Sequence, residues 1–327
     1  MGGLPFDVNN IFSVSADSFD ATCMELYQYQ YRQNPVYRKW CDMIGKSPAT
    51  IQTPMNIPAL PVSFFKQETI LTGVQASHYF ESSGTTQTIN SRHWVPDLGI
   101  YRKSFLQAFE LFYGSGKDWC ILALLPAYLE RQHSSLVMMA DELIALSEHE
   151  HSGFYLYNHA ELNETLKMLE LRGQKTLLLG VTFALLDFAE HYPQQLKHTV
   201  VMETGGMKGR RQEMTRVEVH EILQQQLGIN QVHSEYGMTE LLSQAYSKVN
   251  GLFACPPWMK VFVRDEEDPL SSATTGRGVI QVIDLANIYS CAFIATEDLG
   301  MVYPDGSFEV WGRLDNSDIR GCSLMVV

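Results

Sequence analysis

Apolar and polar positions along the first 200 residues alternate between helix-like and strand-like patterns. Residues 17–47 carry aromatic side chains near helical spacing, which predicts helix with a core-facing stripe. The amphipathic pattern of 98–113 predicts a second helix ending near Gly114. The apolar run 120–125, stopped by Pro126, predicts a buried strand. Further segments continue the alternation, with strands predicted at 153–157 and 176–179 and helices at 161–171 and 182–191.

The pattern changes after about residue 200. A short apolar strand at 200–202 leads into Thr204-Gly205-Gly206, and a helix is predicted over 216–227, closed by Gly228. A strand predicted at 229–232 ends at Tyr236-Gly237. From residue 260 onward, short pieces with polar turns predict β-hairpins or a small barrel.

These patterns predict an α/β protein. Helices that alternate with strands favour a largely parallel sheet with helices on its faces, followed by a small β-rich C-terminal part. The change of pattern divides the chain into an N-terminal α/β subdomain over residues 1–200 and a second α/β and β-rich subdomain over 201–327. We expect the two to form one continuous body.

Composition narrows the class of protein. The 327 residues are 45% hydrophobic with a net charge of −13, enough apolar material for a core and no basic run that predicts binding to nucleic acid. No apolar stretch is long enough for a membrane span, and residues 1–10 lack signal-peptide features. Six scattered cysteines without CxxC spacing predict reduced thiols rather than a zinc site or disulfides. A cytoplasmic location is the expectation.

A hydroxyl-rich turn, residues 82–88, follows a strand-like segment. Its glycine, backbone N–H groups and side-chain hydroxyls are typical of a loop that binds a phosphate chain. It is not a Walker loop, because the second glycine and the Lys-Ser/Thr pair are absent. A plain surface loop is the alternative interpretation.

A second candidate, residues 234–240, is placed at a strand-to-helix junction. Ligands of open α/β sheets bind at the carboxyl ends of strands. The Thr239 hydroxyl and the Glu240 carboxylate, at a predicted helix start, are suited to a phosphate and its Mg²⁺. The alternative is helix capping by ordinary first-turn residues.

The remaining two motifs are residues 296–300 and 312–321, each of which is otherwise a hairpin turn rich in Asp, Asn and Gly. In this order and with these gaps, the four motifs resemble the signature set of the adenylate-forming superfamily, which includes acyl-CoA synthetases, luciferases and peptide-synthetase adenylation domains. The resemblance is greatest to the acyl-protein synthetase (LuxE, fatty-acid–luciferin-component ligase) branch. It rests there on FFK (64–66), LLPAYLER (124–131), ETGGMKGRR (203–211), HSEYGMTELLSQAYS (233–247) and GRLDNSDIRGC (312–322).

The resemblance implies a role in ATP binding for residues in all four motifs. Thr239 would contact the α-phosphate, Glu240 would hold Mg²⁺, and Asp298 would accept the ribose hydroxyls. The other implied ATP-binding residues are Ser83, Gly84, Thr85 and Thr86 in the phosphate loop, Gly205, Gly206, Tyr236 and Gly237 along the adenine, and Arg313 at the ribose and phosphate.

Several basic residues are candidates for contact with the phosphates of ATP. Lys208, Arg210 and Arg211 lie in a glycine-rich segment, and we hypothesise that at least one faces the phosphates; a solvated basic turn is the alternative. Gln87 stands where the superfamily's phosphate loop continues with glycine, and no lysine follows nearby, so Arg92 or His93 would have to substitute for it.

The chain ends at Val327, shortly after Asp315 of the superfamily's hinge motif, so the mobile C-terminal domain is expected to be absent. In the resembled branch an acylated cysteine near the C-terminus takes the acyl group, and Cys322 occupies that position. A thiolate is a good nucleophile toward an acyl-adenylate.

The expected function is ATP- and Mg²⁺-dependent activation of a carboxylic acid, first of all a fatty acid, to an acyl-adenylate. The acyl group would then pass to Cys322 and form an acyl-cysteine, which makes the enzyme an acid–thiol ligase. From Cys322 it would pass to a partner such as an acyl-CoA-reductase-like protein. One alternative is a ligase whose acceptor is CoA or a carrier protein. The other is a non-catalytic subunit that binds a nucleotide or an acyl group.

Overall fold

The structure is a computed structural model that describes residues 7–82, 90–126, 133–205 and 214–314. The helices are α1 Ala16–Gln33, α2 Pro35–Met43, α3 Phe64–Gln67, α4 Leu98–Tyr113, α5 Ser135–Ser147, α6 His159–Arg172, α7 Thr182–His191 and α8 Arg216–Leu227. The first seven strands are β1 Leu60–Pro61, β2 Tyr79–Glu81, β3 Arg92–Trp94, β4 Cys120–Leu124, β5 Gly153–Phe154, β6 Thr176–Val181 and β7 Thr199–Thr204. The others are β8 His233–Tyr236, β9 Ala245–Ser247, β10 Phe253–Ala254, β11 Met259–Arg264, β12 Gly276–Asp284, β13 Phe293–Val302 and β14 Phe308–Arg313.

One large mixed sheet organises the described chain. Its strands lie in the order β11-β12-β13-β14-β10-β9-β8-β7-β6-β4-β5, with β1 beside β13. Strands β4 to β8 are parallel, because α6, α7 and α8 carry the chain back between successive strands. Strands β8 to β14 pair antiparallel, so the predicted hairpins extend the same sheet and no separate barrel forms from them. The predicted α/β class is confirmed, and the division near residue 200 stays a prediction.

Local signals explain why several boundaries match the sequence prediction. Helix α8 begins with a capping box between Thr215 and Glu218, and it ends at Gly228, whose φ of 61° is left-handed. Asp97 caps the start of helix α4, its side chain accepting from Gly99 N, and Gly114 follows the last residue of the helix. These capping residues contact backbone groups only a few positions away, so their effect can be predicted without knowing the tertiary structure.

The predicted helix over 17–47 is two helices. Asn34 ends α1 and caps α2, whose first residue is proline, so the chain turns between them. The aromatic stripe is confirmed as core, since Tyr27 and Tyr37 are fully buried against Phe293 of β13.

Helix α1 also holds the connection between β12 and β13. The buried Gln30 amide donates to the carbonyl oxygens of Asn287 (2.9 Å) and Ile288 (2.8 Å), and its Oε1 accepts from Ala292 N (2.9 Å). These bonds satisfy backbone groups that no strand partner reaches. They fix Asn287, which reaches the candidate site.

One expectation for the chain after α8 is corrected. Residues 229–232 are not a strand, because they carry the chain from Gly228 back to the sheet, where pairing with β7 starts at His233. Among the described residues, no helix is long and apolar enough to cross a membrane.

Candidate active site

The described site residues gather where β7 and β8 end. The two strands are parallel, and Thr204 pairs with Glu235, so Gly205 and Tyr236 emerge side by side. This carboxyl edge is where ligands of open α/β sheets bind. Gly205 has a φ of 72°, a conformation that favours glycine, and its carbonyl accepts from the Thr182 hydroxyl at the start of α7.

Tyr236, Asp298 and Arg313 form a polar cluster beside this edge. The Tyr236 hydroxyl donates to Asp298 Oδ2 (2.8 Å), and Arg313 Nε lies 3.7 Å from Asp298 Oδ1. Strand pairing places Asp298 directly opposite Arg313. The Asp298 side chain is 14% exposed and that of Arg313 is 73% exposed. Burial raises the pKa of Asp298, while Tyr236 and Arg313 oppose that rise. A carboxylate and a cation therefore stand together at the rim.

The segment that carries Thr239 and Glu240 is a turn, so the predicted strand-to-helix junction is wrong. After β8 the chain reverses and pairs antiparallel as β9, with Tyr236 opposite Ala245. Three side chains hold this turn. Thr239 O lies 2.8 Å from His93 Nδ1, and Glu240 O accepts from Asn287 Nδ2 (2.8 Å). The Asp284 carboxylate accepts from two backbone N–H groups of the turn. The helix-capping alternative fails for the same reason.

Glu240 is 4% exposed, and burial raises the pKa of its carboxyl, although Ser91 and Arg313 oppose the rise. A buried carboxylate is stabilised by a cation. Among the described residues, no three His, Cys, Asp or Glu side chains form a group suited to a metal ion. Mg²⁺ commonly takes one or two carboxylates and completes its shell with phosphate oxygens and water. The single Glu240 carboxylate fits that pattern.

His93 does not replace the missing lysine. It is fully buried, with Nδ1 beside Thr239 O and Nε2 3.0 Å from Asn287 Oδ1. Burial lowers the pKa of His93 to about 4, so its ring is neutral at pH 7 and offers no charge to a phosphate. The ring instead positions the Thr239–Glu240 turn, a role that no sequence pattern indicated. Arg92 pairs with Glu81 (3.1 Å) and covers the Tyr79 ring.

An ion pair between the buried Glu203 and the partly buried Arg216, which no sequence pattern indicated, lies next to the site. Arg216 Nε lies 3.3 Å from Glu203 Oε1, and its NH1 donates to Val310 O (2.7 Å). Burial alone would raise the pKa of Glu203, but hydrogen bonding to His220 and the Arg216 charge hold it below its usual value. Arg216 thus ties the end of β7 to β14, the strand that ends at Arg313.

Glu235 is a second carboxylate that the sequence analysis missed. It points to the opposite face of β8 from Tyr236, and the Thr204 hydroxyl donates to its Oε2. Burial raises the pKa of Glu235 to about 7, and the nearby Glu203 charge adds to the rise. No alternation signal marks this residue, because β8 is buried on both faces.

Several predicted site residues lie outside the described residues: Ser83, Gly84, Thr85, Thr86, Gly206, Lys208, Arg210, Arg211 and Cys322. The five described cysteines are free thiols. Burial raises the pKa of each of them, to about 11 for Cys120 and about 12 for Cys41. These five are therefore poor nucleophiles at neutral pH.

No protein-family model matches the chain. It is 23% identical over 326 residues to a long-chain-fatty-acid–luciferin-component ligase of Vibrio harveyi, covering 91% of this chain and 84% of that one. It is 24% identical over 336 residues to the Aliivibrio fischeri ligase of the same name, covering 93% and 86%.

Solved structures share the fold. ATP-bound MatB from Rhodopseudomonas palustris matches with a TM-score of 0.54 and 18% identity over 72% of this chain, which spans only about half (47%) of MatB. A 2-hydroxyisobutyryl-CoA ligase in complex with 2-HIB-AMP and CoA matches with a TM-score of 0.64 and 13% identity, covering 90% of this chain and 69% of that one. In sequence the chain is therefore similar to two long-chain-fatty-acid–luciferin-component ligases, and in fold it is similar to the adenylate-forming ligases.

Proposed function

We propose that this chain is an ATP-dependent ligase that activates a carboxylic acid as an acyl-adenylate. The observation that carries the proposal is the Tyr236–Asp298–Arg313 cluster, which stands beside Gly205 at the carboxyl edge of the sheet. Its parts match the residues that the resemblance assigns to the adenine, the ribose and the phosphate. The named relatives are fatty-acid ligases, which supports a fatty acid as the substrate.

The residue types suit the electrostatics of this reaction. A carboxylate oxygen attacks the α-phosphorus and pyrophosphate leaves, so two anions must approach and charge grows on the leaving group. Arg313 is the exposed cation of the described site, and Lys208 and Arg210 are proposed to add to it. Mg²⁺, when bound by Glu240, would offset phosphate charge. Tyr236 fixes one oxygen of Asp298 and so orients the carboxylate for the ribose hydroxyls.

The second half of the proposed reaction is acyl transfer to Cys322. Its thiolate would attack the acyl carbonyl carbon, form a thioester and expel AMP, while the thiol proton passes to solvent. An acyl-CoA-reductase-like protein is the proposed final partner. A ligase that uses CoA or a carrier protein as acceptor is the alternative, and product analysis with and without CoA separates the two.

Acid-dependent ATP–pyrophosphate exchange tests the first half-reaction. With MgATP and acids from acetate to long-chain and aromatic acids, we expect exchange with at least one class. Glu240→Gln is expected to reduce it about 100-fold, because the buried site loses the charge that would hold Mg²⁺. Glu221→Gln, on the exposed face of α8, should retain wild-type exchange.

Two results would contradict this proposal in different ways. ATP binding by calorimetry without exchange for any acid would identify a non-catalytic binding subunit. Equal exchange by Glu240→Gln and Glu221→Gln would remove Glu240 from the metal site.

Acylation of Cys322 is tested with a radiolabelled acid. We expect a hydroxylamine-labile acyl label on the protein that disappears in Cys322→Ser. Cys255→Ser is the control, because burial keeps the Cys255 thiol protonated and its label should be unchanged. A label that survives Cys322→Ser would refute acyl transfer to this residue.

A further inference from the structure

Strand β3, which follows the predicted phosphate loop, faces the turn that carries Thr239 and Glu240. Ser91 immediately precedes β3 and His93 lies within it, so alternation puts both side chains on the same face. Both are buried, at 3% and 0% exposure. His93 Nδ1 lies 2.8 Å from Thr239 O, and the Ser91 hydroxyl donates a hydrogen bond to the Glu240 carboxylate. One face of this strand therefore contacts both the backbone and a side chain of the turn.

Two hydrogen bonds to Ser82 fix the position of Ser91. Ser82 N donates to Ser91 O (3.0 Å), and Ser91 N donates to the Ser82 hydroxyl (2.9 Å). The pairing of β2 with β3 continues directly from them, with Glu81 opposite Arg92. Because these bonds use only the backbone of Ser91, replacing its side chain leaves the hairpin paired. The effect of removing the hydroxyl is therefore confined to the groups that the hydroxyl itself contacts.

A second residue, Asn287, holds the backbone of Glu240. It is fully buried, and its Nδ2 donates to Glu240 O (2.8 Å). Asn287 Oδ1 lies 3.0 Å from His93 Nε2. A neutral imidazole has one N–H, so His93 donates either to Asn287 Oδ1 or to Thr239 O, whereas the bond to Glu240 O does not depend on the tautomer. The Glu240 carbonyl therefore has a fixed partner of its own, which leaves the direction of the carboxylate to its side-chain contacts.

The Glu240 carboxylate keeps acceptor positions for a ligand. It accepts hydrogen bonds from the Ser91 hydroxyl and from its own backbone N–H. The two oxygens of a carboxylate offer about four acceptor positions, so these two donors do not exhaust them. Arg313 and Asp298 of the polar cluster act electrostatically on the same carboxylate, so the three groups share one region. The Ser91 hydroxyl thus holds a carboxylate that can still bind a cation next to the predicted nucleotide site.

We propose that Ser91 is a positioning residue for MgATP, because its hydroxyl sets the direction of the Glu240 carboxylate on a backbone that Asn287 holds in place. This inference rests on the part of the proposed function that assigns MgATP to this site and Mg²⁺ to Glu240. Ser91 acts through Glu240 and needs no contact with the nucleotide. Donors that orient a metal-binding side chain in this way typically change metal affinity or activity about 10- to 100-fold when they are removed.

Calorimetric titration with MgATP and with AMP tests this role without turnover. Ser91→Ala should weaken MgATP binding by about tenfold or more. AMP, titrated without Mg²⁺, should bind wild type and Ser91→Ala equally, because it lacks the β- and γ-phosphates whose oxygens complete the coordination shell of the metal. In acid-dependent exchange, the variant should need about tenfold more Mg²⁺ than wild type to reach its half-maximal rate.

Ser147→Ala is the matched control, because Ser147 is a buried serine at the end of α5 whose hydroxyl donates to Ile144 O (2.7 Å). It should bind both nucleotides like wild type. A double-mutant cycle measures whether Ser91 acts through Glu240. In the Glu240→Gln background, Ser91→Ala should change MgATP binding by less than about twofold, because the carboxylate that it orients is already gone. Thermal unfolding of each variant verifies the fold.

Three results would overturn the role of Ser91 and leave the proposed function intact. These are equal MgATP binding by wild type and Ser91→Ala, an equal loss of MgATP and AMP binding in Ser91→Ala, and the same loss of MgATP binding in the wild-type and Glu240→Gln backgrounds. The proposed function fails separately, if wild type binds MgATP but catalyses no exchange with any acid. A wild type that does not bind MgATP would reject the proposed function and this inference together.

Discussion

Replacing Asp284 by alanine is expected to lower the free energy of unfolding by about 3–4 kcal/mol. The Asp284 carboxylate is fully buried and accepts from Leu242 N (2.7 Å), Ser243 N (3.0 Å) and Ala286 N (3.1 Å), as well as from the Ser243 hydroxyl. Alanine would leave these donors buried without partners. Because the same bonds hold the turn after β8, the variant should also lose acid-dependent exchange.

Urea denaturation of wild type and variant measures this loss. Asp305→Ala is the matched control, because Asp305 accepts from Ser307 N (3.0 Å) and the Ser307 hydroxyl (2.6 Å) in an exposed turn. Its loss should change the free energy of unfolding very little, because substitutions in exposed turns rarely affect stability. Similar losses in the two variants would show that the buried carboxylate does not hold the turn.

The free energy of unfolding is also expected to depend strongly on pH, because of Glu235. Its pKa is raised from 4.5 to about 7 in the folded protein, first by burial and then by the charge of Glu203. The folded state therefore retains a proton that the unfolded state releases. The stabilising contribution is complete below pH 4.5, is lost as pH rises to about 7, and amounts to about 3 kcal/mol.

Glu235→Gln removes this titration, so its stability relative to wild type should rise by about 3 kcal/mol between pH 4.5 and pH 8. Burial lowers the pKa of His93 and of His233 to about 4, so both also change the free energy of unfolding between pH 4 and pH 6.5. Because both histidines remain in the variant, they cancel in the difference. Denaturant titrations across this pH range provide the measurement, with Glu221→Gln as a surface control. Parallel profiles for wild type and Glu235→Gln would contradict the shifted carboxyl.

The motifs predicted the residues of the polar cluster but not the contacts between them. Tyr236 and Asp298 come from separate motifs, 62 positions apart in sequence, and the fold joins them through a hydrogen bond of 2.8 Å. Strand pairing of β13 with β14 then adds Arg313. The resemblance predicted these residues as one site, but the bond between Tyr236 and Asp298 depends on sheet order and could not be derived from spacing.

Elements whose start and stop signals are local could be predicted from the amino-acid sequence. Helices α4, α7 and α8 match the predicted ranges, because their ends depend on caps, on glycine or on the adjoining strand. The apolar run at Cys120–Leu124 likewise predicted a buried strand. Such signals act over a few residues, where the chain's own covalent connection sets the geometry.

The turn after β8 and the charge of the groups around it depend on contacts between residues far apart in sequence. Asp284 holds that turn from 41 and 42 positions away, where local propensity had predicted a helix. His93 was a candidate cation in sequence and is neutral in the fold, because burial removes its charge. Glu235 carried no signal until the pairing of β8 with β7 placed it against the Thr204 hydroxyl. Protonation and hydrogen-bond satisfaction depend on which distant groups exclude water, and a linear pattern does not contain that information.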